Sequence, residues 1–341
     1  MDALVRVLAD TDDEASSPLR LALFDTTDPA SIARTLGELV AESLAPVATV
    51  EFLRSGVGLV LGAILQDGRA VVVKVHRWRV TSDRLAAVQR VQQLLADEGL
   101  PAPRPLIEPL PLGSGIATIE ELRAGDPADG HRPAVRESVA AGLAAFINAA
   151  NHIEPAPALD HGALTPSPDG PLWGEPHDLR FDFEATSSGA EWIDELAEQA
   201  RRHLVEASLP NLVAHLDWRV ENLGFAGHEI TAIYDWDSVG LAPEPAAVGH
   251  AAAQFSADWR IGFTSLPSLA EMRSFVRHYE FHRGARFDPD ELVVLDAANL
   301  LLCAYGARCQ HSDRTLAPEL SGPPNTGWEN LLLERRTHSL T

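Results

Sequence analysis

Lysine is almost absent from this sequence. Only one of the 27 basic residues, Lys74, is a lysine, and all the others are arginines. Cysteine is nearly as rare, with Cys303 and Cys309 as its two occurrences. Neither cysteine has metal-ligand spacing around it, which favours buried free thiols over a metal site and indicates a reducing compartment.

Long apolar runs are missing as well. No stretch reaches the roughly 18 to 20 apolar residues that a membrane span requires. The N-terminus, Met1-Asp2-Ala3-Leu4, lacks the positive charges and the apolar core of a secretion signal. We therefore expect a cytoplasmic protein with no membrane partner.

Positive charge is scarce relative to negative charge. The 49 acidic and 27 basic residues give a formal net charge of −22 at pH 7, which argues against nucleic acid and anionic membranes as partners. The imbalance lies after Gly125, where 32 acidic residues face 15 basic ones, against 17 and 12 before it. The second part of the chain is therefore expected to attract a cationic small molecule.

The length of 341 residues and the apolar patterning predict two lobes of the α+β class. Residues 1–28 show no clear period, and we expect either an extra helix or a loosely ordered arm there. Residues 29–122 are expected to form a small lobe around an antiparallel sheet, with strands at 47–54, 57–65, 69–77, 105–109 and 115–122. Residues 123–341 are expected to form a larger, mainly helical lobe, with one β-rich patch at 215–236.

The single lysine lies on one of these predicted strands. It follows a β-branched run, Val71-Val72-Val73, that is entered from an Asp67-Gly68 turn. A lysine presents a compact point charge on a long stem, which suits contact with phosphates in a narrow cleft. The alternative is a lysine at an exposed strand edge.

The most specific segment runs from His215 to Asp235. It contains the spacing His-x-Asp-x-x-x-x-Asn at His215, Asp217 and Asn222, and after a short turn a second strand ends at Asp235. Transfer of a phosphoryl group needs a carboxylate to deprotonate the attacking hydroxyl, two oxygen ligands for Mg²⁺ and a lysine on the phosphates. All four groups are present, in the chain order that kinases use.

With these residues the chain resembles the aminoglycoside phosphotransferase and choline kinase family, small-molecule kinases with a protein-kinase-like fold, over about residues 47 to 310. The resemblance implies a bilobal fold, ATP or GTP as co-substrate and Mg²⁺ as cofactor. It gives Lys74 a place on the nucleotide phosphates and makes Asp217 the catalytic base. It makes Asn222 and Asp235 the metal ligands and His215 the residue that braces the catalytic loop.

The resemblance also points to a glycine loop and a hinge. Ser55, Gly56 and Gly58 match the glycine loop over the phosphates, although the pattern is not a full G-x-G-x-x-G. The stretch from Ile119 to Gly125, with Glu120 and Leu122 in it, resembles the segment between the lobes whose backbone receives adenine.

Three departures from the family pattern concern the catalytic parts. The family has a glutamate on the helix after the lysine strand, but this helix offers only glutamines, at Gln89, Gln92 and Gln93. The catalytic loop has Leu216, Trp218 and Arg219 where the family has small or histidine-type residues. Val248 stands where an aspartate usually supports the loop from the next helix.

Several side chains near the site have two interpretations. Acidic residues could line an entrance for an amine or form an ordinary solvated face: Asp178, Asp182, Glu184, Asp194, Glu195 and Glu198. Trp218 and Trp236 could stack on a sugar ring or pack in the core. Asp235 could also be a helix N-cap, and for Asp237 a cap is favoured over a ligand role.

The sequence as a whole predicts a kinase that transfers a γ-phosphoryl group to a hydroxyl of a small cationic acceptor, such as an aminoglycoside, an amino sugar or an amino alcohol. A nucleotide-binding pseudokinase with a regulatory role is the alternative, because the helix glutamate is missing. A protein kinase is disfavoured because little chain lies between Asp235 and the next helix that could form a peptide-binding activation segment.

Overall fold

The structure is a computed structural model that describes residues 2–10, 17–77, 80–159, 162, 164–178, 180–258, 266–316 and 327–340. The chain divides into two compact units, Met1–Ala124 and Gly125–Thr341. The described residues of the N-terminal unit form four helices and five strands: α1 (Asp2–Asp10), α2 (Ser17–Phe24), α3 (Pro29–Ser43), β1 (Val47–Ser55), β2 (Leu59–Leu65), β3 (Ala70–His76), α4 (Ser82–Asp97), β4 (Leu110–Leu112) and β5 (Gly115–Glu121).

The five strands form one antiparallel sheet in the order β1-β2-β3-β5-β4, which confirms the α+β prediction for the small lobe. A tight turn at Asp67-Gly68 joins β2 to β3, with Gly68 at a φ of 86° that disfavours other residues. The strand predicted at 105–109 instead occupies Leu110–Leu112. The proline-rich segment before it forms an isolated bridge at Pro105.

The two faces of this sheet differ in polarity because side chains alternate along each strand. One face carries Val71, Val73 and Val75 into an apolar core, together with residues of β2 and β5. The opposite face carries Lys74 and His76, and helix α4 lies on this side through a bond from Gln92 to Glu120. The single lysine is therefore on a central strand and largely enclosed, not at an exposed edge.

Residues 1–28 were expected to form either an extra helix or a loose arm, and residues 2–10 and 17–24 of this segment are helical. Helices α1 and α2 place five apolar side chains in the core of the sheet: Leu4, Leu8, Leu19, Leu23 and Phe24. The fully buried Arg20 fastens the two helices by donating to the carbonyl oxygen of Leu8 at 2.7 Å. Burial of this apolar stripe is what orders the segment.

The C-terminal unit is mainly helical, as predicted. Its elements are α5 (Pro133–Ala150), α6 (Glu191–Glu206), β6 (Asn211–His215), β7 (Leu223–Ala226), β8 (Glu229–Ile233), β9 (Val239–Pro243), α7 (Glu244–Gln254), α8 (Leu269–Arg283), α9 (Pro289–Leu316) and α10 (Trp328–Thr337). Strand β6 pairs with β9, and β7 pairs with β8. These two short ribbons frame the segment that carries the predicted catalytic residues.

Helix α9 is the central helix of this unit and packs against α6, α7 and α10. Among the described residues it is also the one helix long and apolar enough to cross a membrane, but 72% of its apolar window is buried inside the unit. It therefore has the character of a core helix. Cys303 and Cys309 lie on it as buried free thiols, as predicted, and burial raises the pKa of each to about 12.

The contribution of the N-terminal helices can be tested with two leucines of α2. Leu23 is 0% exposed and Leu21 is 56% exposed. We expect Leu23→Ala to lower the free energy of unfolding by about 2–5 kcal/mol, because it leaves a cavity in the core, and Leu21→Ala to change it by less than about 0.5 kcal/mol. Urea denaturation followed by circular dichroism measures both. Equal, negligible effects would mean that α2 is not part of the core.

Candidate active site

The loop that carries Asp217 starts where β6 ends. Strand β6 closes at His215, and the chain then passes through a 3₁₀ turn, Val220–Asn222, directly into β7. Because β6 is paired with β9 and β7 with β8, both ends of the loop are held by strands. The predicted catalytic segment is therefore a short loop with fixed ends.

The carboxylate of Asp217 accepts hydrogen bonds from three side chains. Its Oδ1 accepts from Arg219 Nη1 at 2.5 Å and from Gln254 Nε2 at 3.1 Å. Its Oδ2 accepts from Asn222 Nδ2 at 2.8 Å. A carboxylate has about four lone-pair sites, so the remaining one is on Oδ2. The donors thus orient the group and leave one oxygen able to accept a proton.

Asn222 is bound through its amide nitrogen. Nδ2 donates both to the carboxylate and to the backbone carbonyl oxygen of Asp217, each at 2.8 Å. Both partners are oxygens, so only the nitrogen can make these bonds. The amide oxygen is consequently the atom that Asn222 can offer to a metal ion.

His215 connects the catalytic loop to the strand that precedes Asp235. Its Nε2 lies 2.9 Å from the carbonyl oxygen of Tyr234, and the backbone N–H of Asp217 donates to its Nδ1 at 3.3 Å. A carbonyl can only accept and an amide N–H can only donate, so the ring is neutral with its proton on Nε2. The ring is buried and makes the bonds that a bracing residue requires.

Asp235 adopts a strained backbone conformation. Its φ of 59° and ψ of 46° lie in the left-handed region, which few residues other than glycine enter. A 3₁₀ turn, Trp236–Ser238, follows, and Ser238 Oγ donates to Oδ2 of Asp235 at 2.9 Å. Asp237 lies inside this turn, so the N-cap position that was its alternative role belongs to Asp235.

Tyr234 links Asp235 to the metal ligand predicted on the loop. The backbone N–H of Tyr234 donates to the carbonyl oxygen of Asn222 at 2.8 Å, while its own carbonyl accepts from His215. The peptide groups just before Asp235 are therefore bonded on both sides to the loop. The structure thus brings His215, Asp217, Asn222 and Asp235 together in the C-terminal unit.

Arg219 is a cation at this site whose part the sequence did not assign. It forms ion pairs with Asp217 at 2.5 Å and with Glu221 at 3.2 Å. Burial alone would lower its pKa, but the carboxylates of Asp217 and Glu221, with Asp235 beyond them, raise the pKa of Arg219 above its usual value. A permanently charged guanidinium therefore lies among the site carboxylates.

Support for the loop from the following helix comes from Gln254. The sequence predicted that this support is altered, because Val248 replaces the usual aspartate, and Val248 is buried in the core. Gln254, six residues later on α7, donates to Asp217 instead. A single glutamine on a helix carries no sequence signal of such a role, because only the packing of α7 beside the loop reveals it.

The donor set of Asn222 and Asp235 fits a hard divalent cation. Both offer oxygen atoms, and Mg²⁺ typically binds through one or two protein carboxylates together with substrate phosphates. Within the described residues, no group of three or more His, Cys, Asp or Glu side chains could hold a metal ion.

In the N-terminal unit, Lys74 lies beside a carboxylate on the adjacent strand. Its Nζ is 3.5 Å from Oε1 of Glu120, and Oε2 of Glu120 accepts from Gln92 Nε2 on α4 at 2.8 Å. Glu120 had been assigned to the adenine hinge through its backbone. Its side chain also points to the lysine, a contact that the sequence does not reveal because the two residues lie on different strands.

The glycine loop is the turn between β1 and β2. Ser55 ends β1, and the N–H of Gly56 donates to the carbonyl oxygen of Gly58 at 3.0 Å. A Cβ at Gly58 would lie 2.7 Å from the carbonyl oxygen of Val75 on β3, so only glycine permits this approach of the turn to the neighbouring strand. The loop stays close to the strand that carries Lys74.

The hinge stretch begins at the end of β5. The N–H groups of Glu121 and Leu122 donate to the carbonyl oxygens of Arg104 and Ala70, each at 2.9 Å. These two donors are therefore used inside the N-terminal unit. The assignment of Glu120 and Leu122 to adenine binding stays a prediction.

A comparison with protein families gives a match over most of the central chain. The model of the APH phosphotransferase enzyme family matches residues 62–285, well over half of the 341 residues. The chain belongs to the APH phosphotransferase family. This phosphotransferase is thus an enzyme of the small-molecule kinase type, as the resemblance implied. A comparison with curated proteins gave no significant match.

Solved structures confirm the kinase-like fold of this phosphotransferase. Amicoumacin kinase hAmiN, solved with AMP-PNP, Ca²⁺ and Ami, has a TM-score of 0.61 at 13% identity, covering 88% of this chain and 91% of that one. A thermostable mutant of aminoglycoside phosphotransferase APH(4)-Ia, in a ternary complex with AMP-PNP and hygromycin B, gives 0.54 at 14%, covering 89% and 99%. A putative aminoglycoside phosphotransferase from Ralstonia eutropha JMP134 gives 0.53 at 14%, covering 89% and 95%.

The two tryptophans of the site are core residues in this phosphotransferase. Trp218 and Trp236 are each 1% exposed, and both pack around the ring of Phe146. Their indole N–H groups donate to backbone carbonyl oxygens of Val139 and Ile233. Stacking of either ring on an acceptor sugar, one of the two predicted roles, is therefore wrong.

The acidic residues of the phosphotransferase's helical unit are largely engaged in pairs. Asp194 accepts from Trp173 Nε1 at 2.8 Å and lies 3.3 Å from Arg308. Two further acids face arginines in the same unit, Glu198 with Arg201 and Asp178 with Arg180. Asp182 accepts from the N–H of Ala185. Four of the six acids therefore have partners within the unit, while Asp182, Glu184 and Glu195 are exposed.

His250, on α7 beside Gln254, makes the folding stability of the protein depend on pH. Burial lowers the pKa of His250 from 6.5 to about 4, while the charge of Asp217 acts in the opposite direction. Since the folded pKa is below the unfolded one, the unfolded state takes up the proton first. The stabilising contribution of the neutral ring is thus complete above about pH 6.5 and is lost as the pH falls toward 4.

We expect the stability difference between the wild type and His250→Asn to be constant from pH 7 to 8.5. Between pH 7 and pH 5 the free energy of unfolding of the wild type should fall by roughly 2 kcal/mol relative to that of the variant, since one pKa unit corresponds to about 1.4 kcal/mol. Urea unfolding at each pH measures this difference. The same substitution at the exposed His228 serves as the control. A difference that does not change with pH would contradict the burial of the neutral ring.

Proposed function

We propose that this phosphotransferase moves the γ-phosphoryl group of ATP or GTP to a hydroxyl of a small cationic acceptor, such as an aminoglycoside, an amino sugar or an amino alcohol, with Mg²⁺ as cofactor. The observation that carries the proposal is the orientation of the Asp217 carboxylate by Arg219, Gln254 and Asn222. Such an oriented carboxylate is what general-base catalysis on a hydroxyl requires.

In the proposed reaction Asp217 accepts the hydroxyl proton through Oδ2. Asn222 would hold the metal ion through its amide oxygen and Asp235 through its carboxylate. Bound there, Mg²⁺ would offset the negative charge of the phosphates. His215 keeps the loop and the strand before Asp235 in register through its two bonds. Lys74 would bind the phosphates from the N-terminal unit.

The cationic acceptor is supported by charge. The part of the chain after Gly125 carries 32 acidic and 15 basic residues, a field that attracts cations even where single acids are paired. Two of the similar structures are named as an amicoumacin kinase and as an aminoglycoside phosphotransferase in complex with hygromycin B. An acceptor of this kind makes antibiotic inactivation the expected consequence of the reaction.

The catalytic base is tested by Asp217→Asn and Asp217→Ala. We expect phosphorylation to fall by about 10²–10⁴-fold, the usual contribution of a general base, while nucleotide affinity stays within about twofold. A coupled nucleotide-consumption assay over aminoglycosides, amino sugars, macrolides, cyclic peptide antibiotics and choline-like alcohols measures turnover, with ATP and GTP in parallel. Glu229→Ala, at an exposed position of β8, is the control.

Wild-type rates in the Asp217 variants would refute the assignment of the base. Stabilisation of the wild type by ATP, without product from any acceptor, would instead support the pseudokinase alternative.

The metal ligands are tested by titrating Mg²⁺. We expect Asp235→Asn and Asn222→Ala to raise the Mg²⁺ concentration for half-maximal rate by about tenfold or more, because each removes one of two protein ligands. Ser238→Ala removes only the hydroxyl bonded to Asp235 and should have a smaller effect. An unchanged Mg²⁺ dependence in Asp235→Asn would exclude that residue as a ligand.

A further inference from the structure

Lys74 and Glu120 share one face of the sheet. In the antiparallel pair of β3 and β5, Lys74 is opposite Thr118 and Val72 is opposite Glu120. Val72 and Lys74 point to the same face because they are two residues apart. Lys74 and Glu120 are therefore diagonal neighbours, close enough for long side chains to interact.

The pair is enclosed by protein. The side chains of Lys74 and Glu120 are 11% and 12% exposed, and Nζ lies 3.5 Å from Oε1. A charge removed from water to this degree is costly unless an opposite charge or hydrogen bonds compensate it. Each of the two charges therefore depends on compensation by the other more than the charges of an exposed pair do.

Helix α4 completes the arrangement with a neutral side chain. Gln92, 2% exposed, donates from Nε2 to Oε2 of Glu120 at 2.8 Å. The two carboxylate oxygens are thus divided between the strand lysine and the helix amide. The bond from Gln92 fixes the rotation of the carboxylate and keeps Oε1 directed at the ammonium group.

We infer that Glu120 is the positioning residue of Lys74 and that Gln92 holds Glu120 in place. This inference rests on the proposed role of Lys74 at the nucleotide phosphates. The ammonium group has three donors, so it can keep Glu120 while it binds phosphate oxygens. The carboxylate that orients the lysine comes from the adjacent strand, and the helix that usually supplies it contributes an amide.

The arrangement has a mechanical consequence. Lys74 and Glu120 are joined by the hydrogen-bonded register of two neighbouring strands, so their separation does not depend on the position of α4. A displacement of α4 removes the bond from Gln92 but not the opposite charge. The register of the sheet therefore keeps Glu120 next to Lys74, and Gln92 sets the rotation of its carboxylate.

The test compares the binding of ATP and of adenosine to Glu120→Gln, Lys74→Ala and the double variant. We expect Glu120→Gln to weaken ATP binding by about tenfold, as for loss of a bond to a charged group, and to leave adenosine binding unchanged, because only the phosphates meet the lysine. Calorimetry measures both affinities. Glu108→Gln, at an exposed position before β4, is the matched control.

The double variant tests whether Glu120 acts through the lysine. With Lys74→Ala already present, Glu120→Gln should weaken ATP binding by less than about twofold further, because residues that act through one contact are not additive. Full additivity would overturn the inference. If Lys74→Ala itself leaves ATP binding intact, the proposed role of the lysine fails. If Lys74→Ala weakens ATP binding but Glu120→Gln does not, the role of the lysine stands and the inference about Glu120 is overturned.

A second variant guards against misfolding of Glu120→Gln. Gln92→Ala keeps the ion pair and removes the amide that holds the carboxylate. We expect it to raise the KM for ATP by about threefold, with kcat and the KM for the acceptor within twofold, and its control is Gln93→Ala on the same helix. The inference is overturned if Gln92→Ala and Gln93→Ala have the same KM for ATP.

Discussion

The compensation of enclosed charge is the constraint on which both halves of this phosphotransferase depend. The carboxylate of Asp217 is held by donors from Arg219 and Asn222 on its own loop and from Gln254 on α7. Two donors bind Oδ1 and one binds Oδ2, so together they define both the position and the rotation of the group. The same bonds fix the loop, because Asn222 also binds the backbone of Asp217. Orientation of the Asp217 carboxylate and rigidity of the loop therefore have one origin.

In the sheet of the N-terminal unit, the enclosed charge of a lysine is compensated in the same way. Lys74 lies on a central strand with Glu120 beside it and Gln92 above it. In both units a glutamine from a helix supports a site carboxylate, Gln254 for Asp217 and Gln92 for Glu120. A neutral amide can hold a carboxylate without altering the net charge of the site. The charged groups of the site then remain available to interact with metal ions and phosphates.

The sequence predicted more of the fold than of the contacts. The α+β class, the antiparallel sheet and the β-rich patch in the helical part follow from short-range patterns, and the structure confirms them. The spacing from His215 to Asn222 located the loop between β6 and β7 because the geometry of such a loop is local; its catalytic role stays a prediction. The partner of Lys74 was missed because it lies 46 positions away on a strand, and no period in the sequence connects the two. For the same reason Trp218 and Trp236 could not be assigned to the core before the position of Phe146 was known.

The amino-acid sequence by itself determined which chemical groups this protein has, in which order, and therefore its family and the type of reaction. Local spacing and alternation are properties of the chain, so they can be read without the fold. Only the tertiary structure decided which acids are engaged, that residues 2–10 and 17–24 form helices in the core, and that a strand glutamate meets the lysine. These outcomes depend on packing between segments distant in sequence, where burial and the compensation of charge select one partner among several of the same type.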